Sequence, residues 1–528
     1  MPLSSLPLRA TLTTLGLLVF SLAQAATITV NSNFEGEPAG VCTLQAAVRA
    51  ANTDTAVAAC AAGTGPDTIV FNAVVFSGGA ANTIGFTAPL AGTIDALRVT
   101  QTLTIDATAV GNVVLRRSGA ANIPDFRLIN LYDAADPING ASQKLTLRHI
   151  TVTGGKLSAS SATQDPTSTA YNNGGGIAAR GALEIYDSLI SNNRTAGGYT
   201  AHGGGIFAAT TLLLQQSDVL GNATQGANAL GGGIAAEAVA LVQARVASNT
   251  TAGLNASGGG IFAVGVYAID STIAANGTAG VNAAGGGVHA NQISLERSTV
   301  WDNFTGNDNS PGGGVYASTA ALTNSTLSAN YTLGARSNGG GIYNDGRLVL
   351  RNSTFVDNRV AQSGSDGNAI YLGDESGNLD MASTLLVRNS AIAPRATIAT
   401  SGSKTSTGGN NLVIGTLANV TLPADTITNC AVAVVDDLAA NGGATQTHAL
   451  PLGSCAIDHG GNPQALATDQ RGATFARIRG ASADIGAFEV QATAPVAATP
   501  APGPGVFALF ALALAVFVAA RRTGNIAQ

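Results

Sequence analysis

Lysine is almost missing from these 528 residues: Lys144, Lys156 and Lys404 are the whole supply. Charged residues make up 11% and aromatic residues 5%, and the net charge is −6. No basic stripe results, so nucleic-acid binding lacks electrostatic support and no nucleic-acid partner is expected. Four cysteines without a CxxC spacing and five scattered histidines give no zinc pattern. No cofactor or metal is expected.

What the chain has instead is glycine, 66 of them, many in register. A triplet followed by Ile or Val begins at Gly174, Gly203, Gly231, Gly258, Gly285, Gly312 and Gly339, and the last four intervals are all 27 residues. Between triplets lies a second mark, an apolar residue three places before an asparagine: Ile190/Asn193, Val219/Asn222, Val246/Asn249, Ile273/Asn276, Val300/Asn303, Leu327/Asn330 and Phe355/Asn358. A fixed period of this length means a solenoid, propeller or array.

Each unit holds three short alternating runs, such as Ile261 to Ala263, Val266 to Ile269 and Ser271 to Ala274. Alternation with β-branched residues is strand language. A propeller blade would need roughly 40 residues, and the leucine-rich frame is missing. The expectation is an all-β chain forming a right-handed parallel β-helix, three strands per coil of about 27 residues, with a short N-terminal capping helix. Coils stack about 4.8 Å apart, so each repeated residue sits above its own copy. Glycine tolerates this at a corner of positive φ or close backbone approach. Asparagine can donate to one copy and accept from the other, as a ladder at a bend.

Arg9, the apolar run Leu12 to Leu22 and Ala23-Gln24-Ala25 read as a signal peptide over 1–25, with the mature chain starting near Ala26. The region 26–155 is expected to hold the cap and irregular early rungs, 156–173 an inserted loop, 174–389 the repeats, and 390–490 a C-terminal region. Leu44, Ala47, Val48 and Ala51 recur at helical spacing and form the expected lid on the first coil. Counting leaves other connectivities open, but crosslinks between the far ends of a rod are impossible, which favours the local pairs Cys42 with Cys60 and Cys430 with Cys455. Each would be worth roughly 3 kcal/mol by chain entropy.

The Gly-Gly-Gly-Ile and apolar-x-x-Asn marks resemble the repeat of polymorphic outer-membrane proteins, Phe355-Val356-Asp357-Asn358 being the full FxxN match. That resemblance covers about the middle half of the chain and implies a surface location and adhesion. Cys42-Thr43-Leu44-Gln45-Ala46-Ala47-Val48 is similar to the CSLREAI-type region ahead of bacterial β-helices, with Gln45-Ala46 in place of Arg-Glu. Asp437 to Leu450, Gly453 to Asp458, Thr468-Asp469-Gln470-Arg471-Gly472 and Asp484-Ile485-Gly486-Ala487-Phe488-Glu489 resemble the choice-of-anchor Q domain. It implies location rather than chemistry. The linker 491–505, the apolar run inside 506–522 and Arg521-Arg522 then make a tripartite sorting signal, which implies a sortase-like processing protease and a membrane partner.

Parallel β-helices include polysaccharide lyases and hydrolases, so catalysis has to be weighed. Glycoside hydrolysis needs two carboxyls about 5 to 9.5 Å apart. Asp187 and Asp270 share a phase three rungs apart and do not pair; Asp302 and Asp357 share one two rungs apart, with Ala329 between them. Asp366, Asp374, Glu375 and Asp380 match no calcium loop. His202 and His289, beside glycine corners without triad partners, read as surface residues. No catalytic residue is assigned. Asn193 to Asn330 also scan as glycosylation sites, each with threonine two places on, but inward amides would be out of reach of a transferase. Tyr316, Tyr343 and Tyr371, following Phe207 and Phe262 in phase, form a candidate glycan-contact stripe: either an exposed sugar platform or an aromatic stack. The expectation is a non-enzymatic, envelope-anchored β-helix acting in adhesion, scaffolding or glycan contact with surface glycans or neighbouring cells, with a carbohydrate-active β-helix as the alternative.

Overall fold

Inward apolar residues spaced one coil apart build a single continuous column. Ile28, Ile69, Ile105, Leu147, Ile185, Leu214, Leu241, Ala268, Leu295, Leu322, Leu350 and Met381 lie in direct parallel register, each fully or almost fully buried. The protein, seen in a computed structural model that describes residues 25–132, 142–158, 173–196, 201–373, 377–387, 395–432 and 434–491, is therefore a parallel β-helix. Three parallel sheets of 19, 12 and 8 strands form its faces among the described residues. The expected signal peptide, most of the inserted loop, the linker and the apolar tail lie outside them.

One coil shows the plan. The first face carries Ile261–Ile269, the second Thr272–Ala274 and the third Gly277–Thr278. Pairing to the next coil is offset by 27 residues on every face, as in Ile261↔Val288, Ile273↔Val300 and Thr278↔Thr305. Two of the three expected runs are thus one strand. The side-chain alternation changes phase between Ala263 and Val266, which bends the strand without ending its ladder. The third strand, only two residues long, leaves no room for an alternating pattern.

Residues in the left-handed region turn the corners. Asp187, Gln216, Gln243, Asp270, Arg297, Asn324 and Asn352 stand in one column at φ of 45–51°, and the first glycine of each triplet stands at 65–75°. A Cβ on Gly232 would lie 2.4 Å from the carbonyls of Gly259 and Thr250, and one on Gly233 would lie 2.8 Å from Cγ of Asn249. The glycine and asparagine columns thus pack against each other, which is why the two marks keep step.

The asparagine amides form an unbroken chain. Nδ2 of Asn193, Asn222, Asn249, Asn276, Asn303 and Asn330 donates to Oδ1 of the next asparagine, ending at Asn358, over 2.8–3.0 Å. All seven are at most 4% exposed. Serine hydroxyls repeat the device at the preceding corner: Ala244 N–H donates to Ser271 Oγ, Ser271 N–H to Ser298 and Ser298 N–H to Ser325.

The helix Leu44–Thr53 starts at Thr43, whose hydroxyl accepts from Ala46 N–H, and it buries Leu44, Ala47, Val48 and Ala51 against the first rungs. Disulfides join Cys42 to Cys60 beside it and Cys430 to Cys455 near the other end. They fit an oxidising, exported environment.

Two boundaries differ from expectation. Lys156–Leu157 is a third-face strand paired with Arg194–Thr195, because Leu157 is an inward, fully buried residue. Coiling also continues past the last glycine mark, through Ile398–Thr405, Leu412–Val413 and Leu417–Thr421, since an inward apolar column suffices without it. The chain from 434 to 491 then folds back along the second face.

Candidate functional site

The outward column of the second face divides the molecule in two. Leu189, Asp218, Arg245 and Thr272 are intermediate or exposed, whereas Thr299, Thr326, Thr354, Leu385 and Leu412, next in the same register, are all buried. The returning C-terminal segment covers the latter. Thr299 Oγ1 donates to Gln446 O (2.7 Å), Thr326 Oγ1 to Gln470 Oε1 (2.6 Å), and Ala487 N–H donates to Thr354 Oγ1 (2.9 Å). Further along, Val356, Leu385 and Val387 pack with Val434, Val435, Leu450, Ala456 and Ile485 in a second apolar cluster.

The motif residues of this segment hold it together. Arg471 lies between Phe475 and Phe488, with ring centroids 3.9 and 3.8 Å from its Cζ, and binds Asp469 through both Nε and Nη2. Arg477, fully buried, donates to Glu489 Oε2 (2.8 Å) and to Gly486 O (2.9 Å). Burial pushes the carboxyls of Asp484 and Glu489 above the ordinary range. His448 reaches Ser328 Oγ at 3.0 Å and Asp436 O at 2.7 Å, and burial lowers its pKa.

Where the segment stops, a groove begins. About 660 Å³ in volume, it runs from Asn112 past the corner column Asp187, Gln216, Gln243 and Asp270, over Leu189, Asp218, Arg245 and Thr272, to Ala444 of the returning segment. Arg245 binds Asp218 (3.1 Å), and Arg297 grips Asp270 through Nε (2.8 Å) and Nη2 (3.1 Å). The side chains of Asp187, Gln216 and Gln243 form no hydrogen bond with other described residues. Carboxylates and amides in this file are spaced at the rung interval of about 4.8 Å. Pairing carboxylates by phase missed the groove, because it treats the amides between them as interruptions; the signal was the polar residue two places ahead of each outward second-face position.

The tyrosines occupy the outside of the first face. Phe262, His289, Tyr316, Tyr343 and Tyr371 stack in sequence, with centroids 5.0, 4.6, 5.1 and 5.4 Å apart and interplanar angles of 39°, 30°, 6° and 15°. Phe207 is separated from them by Ala235 and stacks on His202 instead. The ring faces pack against one another, which leaves edges and hydroxyls toward solvent. Tyr316 donates to Asp345 at 2.5 Å, and burial with that carboxylate raises the pKa of both Tyr316 and Tyr343. His289 is not an ordinary surface residue: it is half-buried in the stack, its Nδ1 has no hydrogen-bond partner among the described residues, and burial lowers its pKa to about 4. His202 is half-buried as well and accepts from Leu230 N–H at 3.0 Å.

Asp302, Ala329 and Asp357 share a left-handed corner column, so the two carboxylates stand two rungs apart with an alanine between. Asp366 caps Gly367 and Ala396 N–H groups and Asp380 is bound to Arg351, while Asp374 and Glu375 lie outside the described residues. No cluster of acids, histidines or cysteines with metal-ligand geometry occurs among the described residues. No family model and no curated protein matches the chain.

Proposed function

We propose that this is an exported β-helix of the bacterial cell envelope that holds an extended glycan in the Asp187–Asp270 groove without cleaving it. The observation that carries the reading is the corner file of Asp187, Gln216, Gln243 and Asp270, two amides flanked by two carboxylates at the rung interval. Planar polar side chains of this kind match the vicinal hydroxyls of a chain of sugar rings, and Leu189 and Thr272 give the floor an apolar part. Asp187 and Asp270 are three rungs apart, about 14 Å at the usual spacing, beyond the separation that acid-assisted hydrolysis uses, and Asp218, which lies between their rungs, is tied to Arg245 at 3.1 Å. The repeat and C-terminal resemblances, together with the basic end of the tail, support attachment at the surface through the C-terminal segment after sortase-like processing. In this reading the tyrosine stack stiffens the first face and offers a row of phenol hydroxyls as a secondary contact.

The test is glycan-array binding by the purified chain alongside an assay for reducing ends. Binding that weakens at least about tenfold in Gln216→Ala/Gln243→Ala, equivalent to about 1.4 kcal/mol, with no new reducing ends, supports the proposal. Sugar release would turn it into the alternative, a carbohydrate-active β-helix. Unchanged binding in the double variant would move the site elsewhere, with Tyr343→Ala as the next probe.

A further inference from the structure

Asp67 opens the strand Asp67–Phe71 in the second rung and is 1% exposed. Its Oδ1 accepts from the backbone N–H groups of Ala26 and Thr64, both at 2.9 Å. Its Oδ2 is buried with no hydrogen-bond partner among the described residues and lies against Gly63, where an added Cβ would come within 2.2 Å of it. A buried carboxylate with an unmet oxygen is costly, and a cation supplies what it lacks. No described ion pair provides one, yet Ala26 is the residue that cleavage after Ala23-Gln24-Ala25 would place at the start of the mature chain.

We propose that removal of residues 1–25 creates an ammonium group at Ala26 that pairs with Asp67 and locks the first rung. The inference rests on the export reading above. A membrane-bound peptidase that processes exported chains adds water across the Ala25–Ala26 bond. The carbon–nitrogen bond breaks, Ala25 leaves with the new carboxylate, and the nitrogen keeps the electron pair and takes up protons. One peptide N–H becomes three ammonium donors, enough to keep the bond to Oδ1 and serve Oδ2 as well. The lock acts where the fold needs it. Among the described residues Thr27–Val30 pairs with a strand on one side only, Asp67–Phe71, and the helix Leu44–Thr53 packs against it. Gly63 leaves the space that the carboxylate occupies.

The experiment has two arms. The full chain is expressed in an exporting bacterial host, and intact mass with N-terminal sequencing reads the first residue, expected to be Ala26. In the second arm, chains beginning at Ala26 or at Ala25 are released from a cleavable fusion under oxidising conditions, and hydrogen exchange is followed at Ile28 and Val30. Exchange should be at least about fivefold faster in the chain with the extra alanine, and that difference should vanish in Asp67→Asn. Selective acetylation of the Ala26 α-amine repeats the comparison without a substitution, should Asp67→Asn fail to fold. An exported chain starting elsewhere, or exchange that ignores both the extra residue and the acetyl group, overturns the proposal. A chain retained in the cytoplasm with its leader sinks the export reading instead, while the second arm still decides the Asp67 pair.

Discussion

Asn276 is bound on both sides. Its Oδ1 accepts from the N–H and Nδ2 of Asn249, and its Nδ2 donates to Asn303 Oδ1 and to Val246 O. Alanine there would orphan two buried donors and withdraw a donor from two acceptors, at about 1–3 kcal/mol for each orphan. Asn276→Ala should therefore cost about 3–5 kcal/mol, read as a lower urea midpoint and faster exchange in the flanking coils. Asn276→Asp should cost more, since it buries an unpaired carboxylate with one oxygen facing the acceptors Asn303 Oδ1 and Val246 O. The tyrosine stack predicts a pH effect. Because burial holds His289 near 4 in the fold against about 6.5 when unfolded, its contribution is intact above pH 6.5 and is lost as pH falls toward 4. His289→Tyr should flatten that acid slope in thermal melts between pH 7.5 and 4.5. At this scale the sequence displayed the ladder residues plainly, since periodicity alone selects them. It did not display Asp95 and Arg127, fully buried and joined at 2.9 Å, because they occur once and a single ion pair has no period.

Among the elements, the returning C-terminal segment was the least legible. Its motif residues could be recognised by order, but their partners lie some 140 to 170 positions away: Gln470 binds Thr326 and Thr299, and Asn324 donates to Thr468 O. Nothing local in an outward threonine distinguishes a covered rung from a bare one; Thr272 and Thr299 stand in the same pattern. Gln470→Ala removes bonds to Thr299, Thr326, Thr445 and Gln446 at once. Limited proteolysis should then cut within 434–491 several times faster while the β-sheet circular dichroism is retained. Arg471→Lys should loosen the same segment, because an ammonium can neither bind Asp469 through two nitrogens nor lie flat between Phe475 and Phe488. Strand limits were half legible. The bend at Ala263 to Val266 imitates a turn in sequence, and a two-residue strand has no pattern to read.

For the molecule as a whole, every coil protects its neighbours and the ends need separate cover. The helix Leu44–Thr53 and the Cys42–Cys60 bond provide it at the start. A chain lacking residues 26–63 should expose the Asp67–Phe71 edge and associate end to end, seen as larger species in size-exclusion chromatography with light scattering. Fold class was the most legible property of all, because one inward column and two coupled marks specify the winding, and the winding specifies the sheets.

The equal 27-residue spacing has a consequence for how such a molecule can change. The groove lies on coils that the C-terminal segment does not grip, so duplicating or excising one whole unit there would splice every ladder back into register and alter the length by about 4.8 Å. Gain or loss of one unit would thus change the reach of the groove by one fixed step and leave the contacts of residues 434–491 in place.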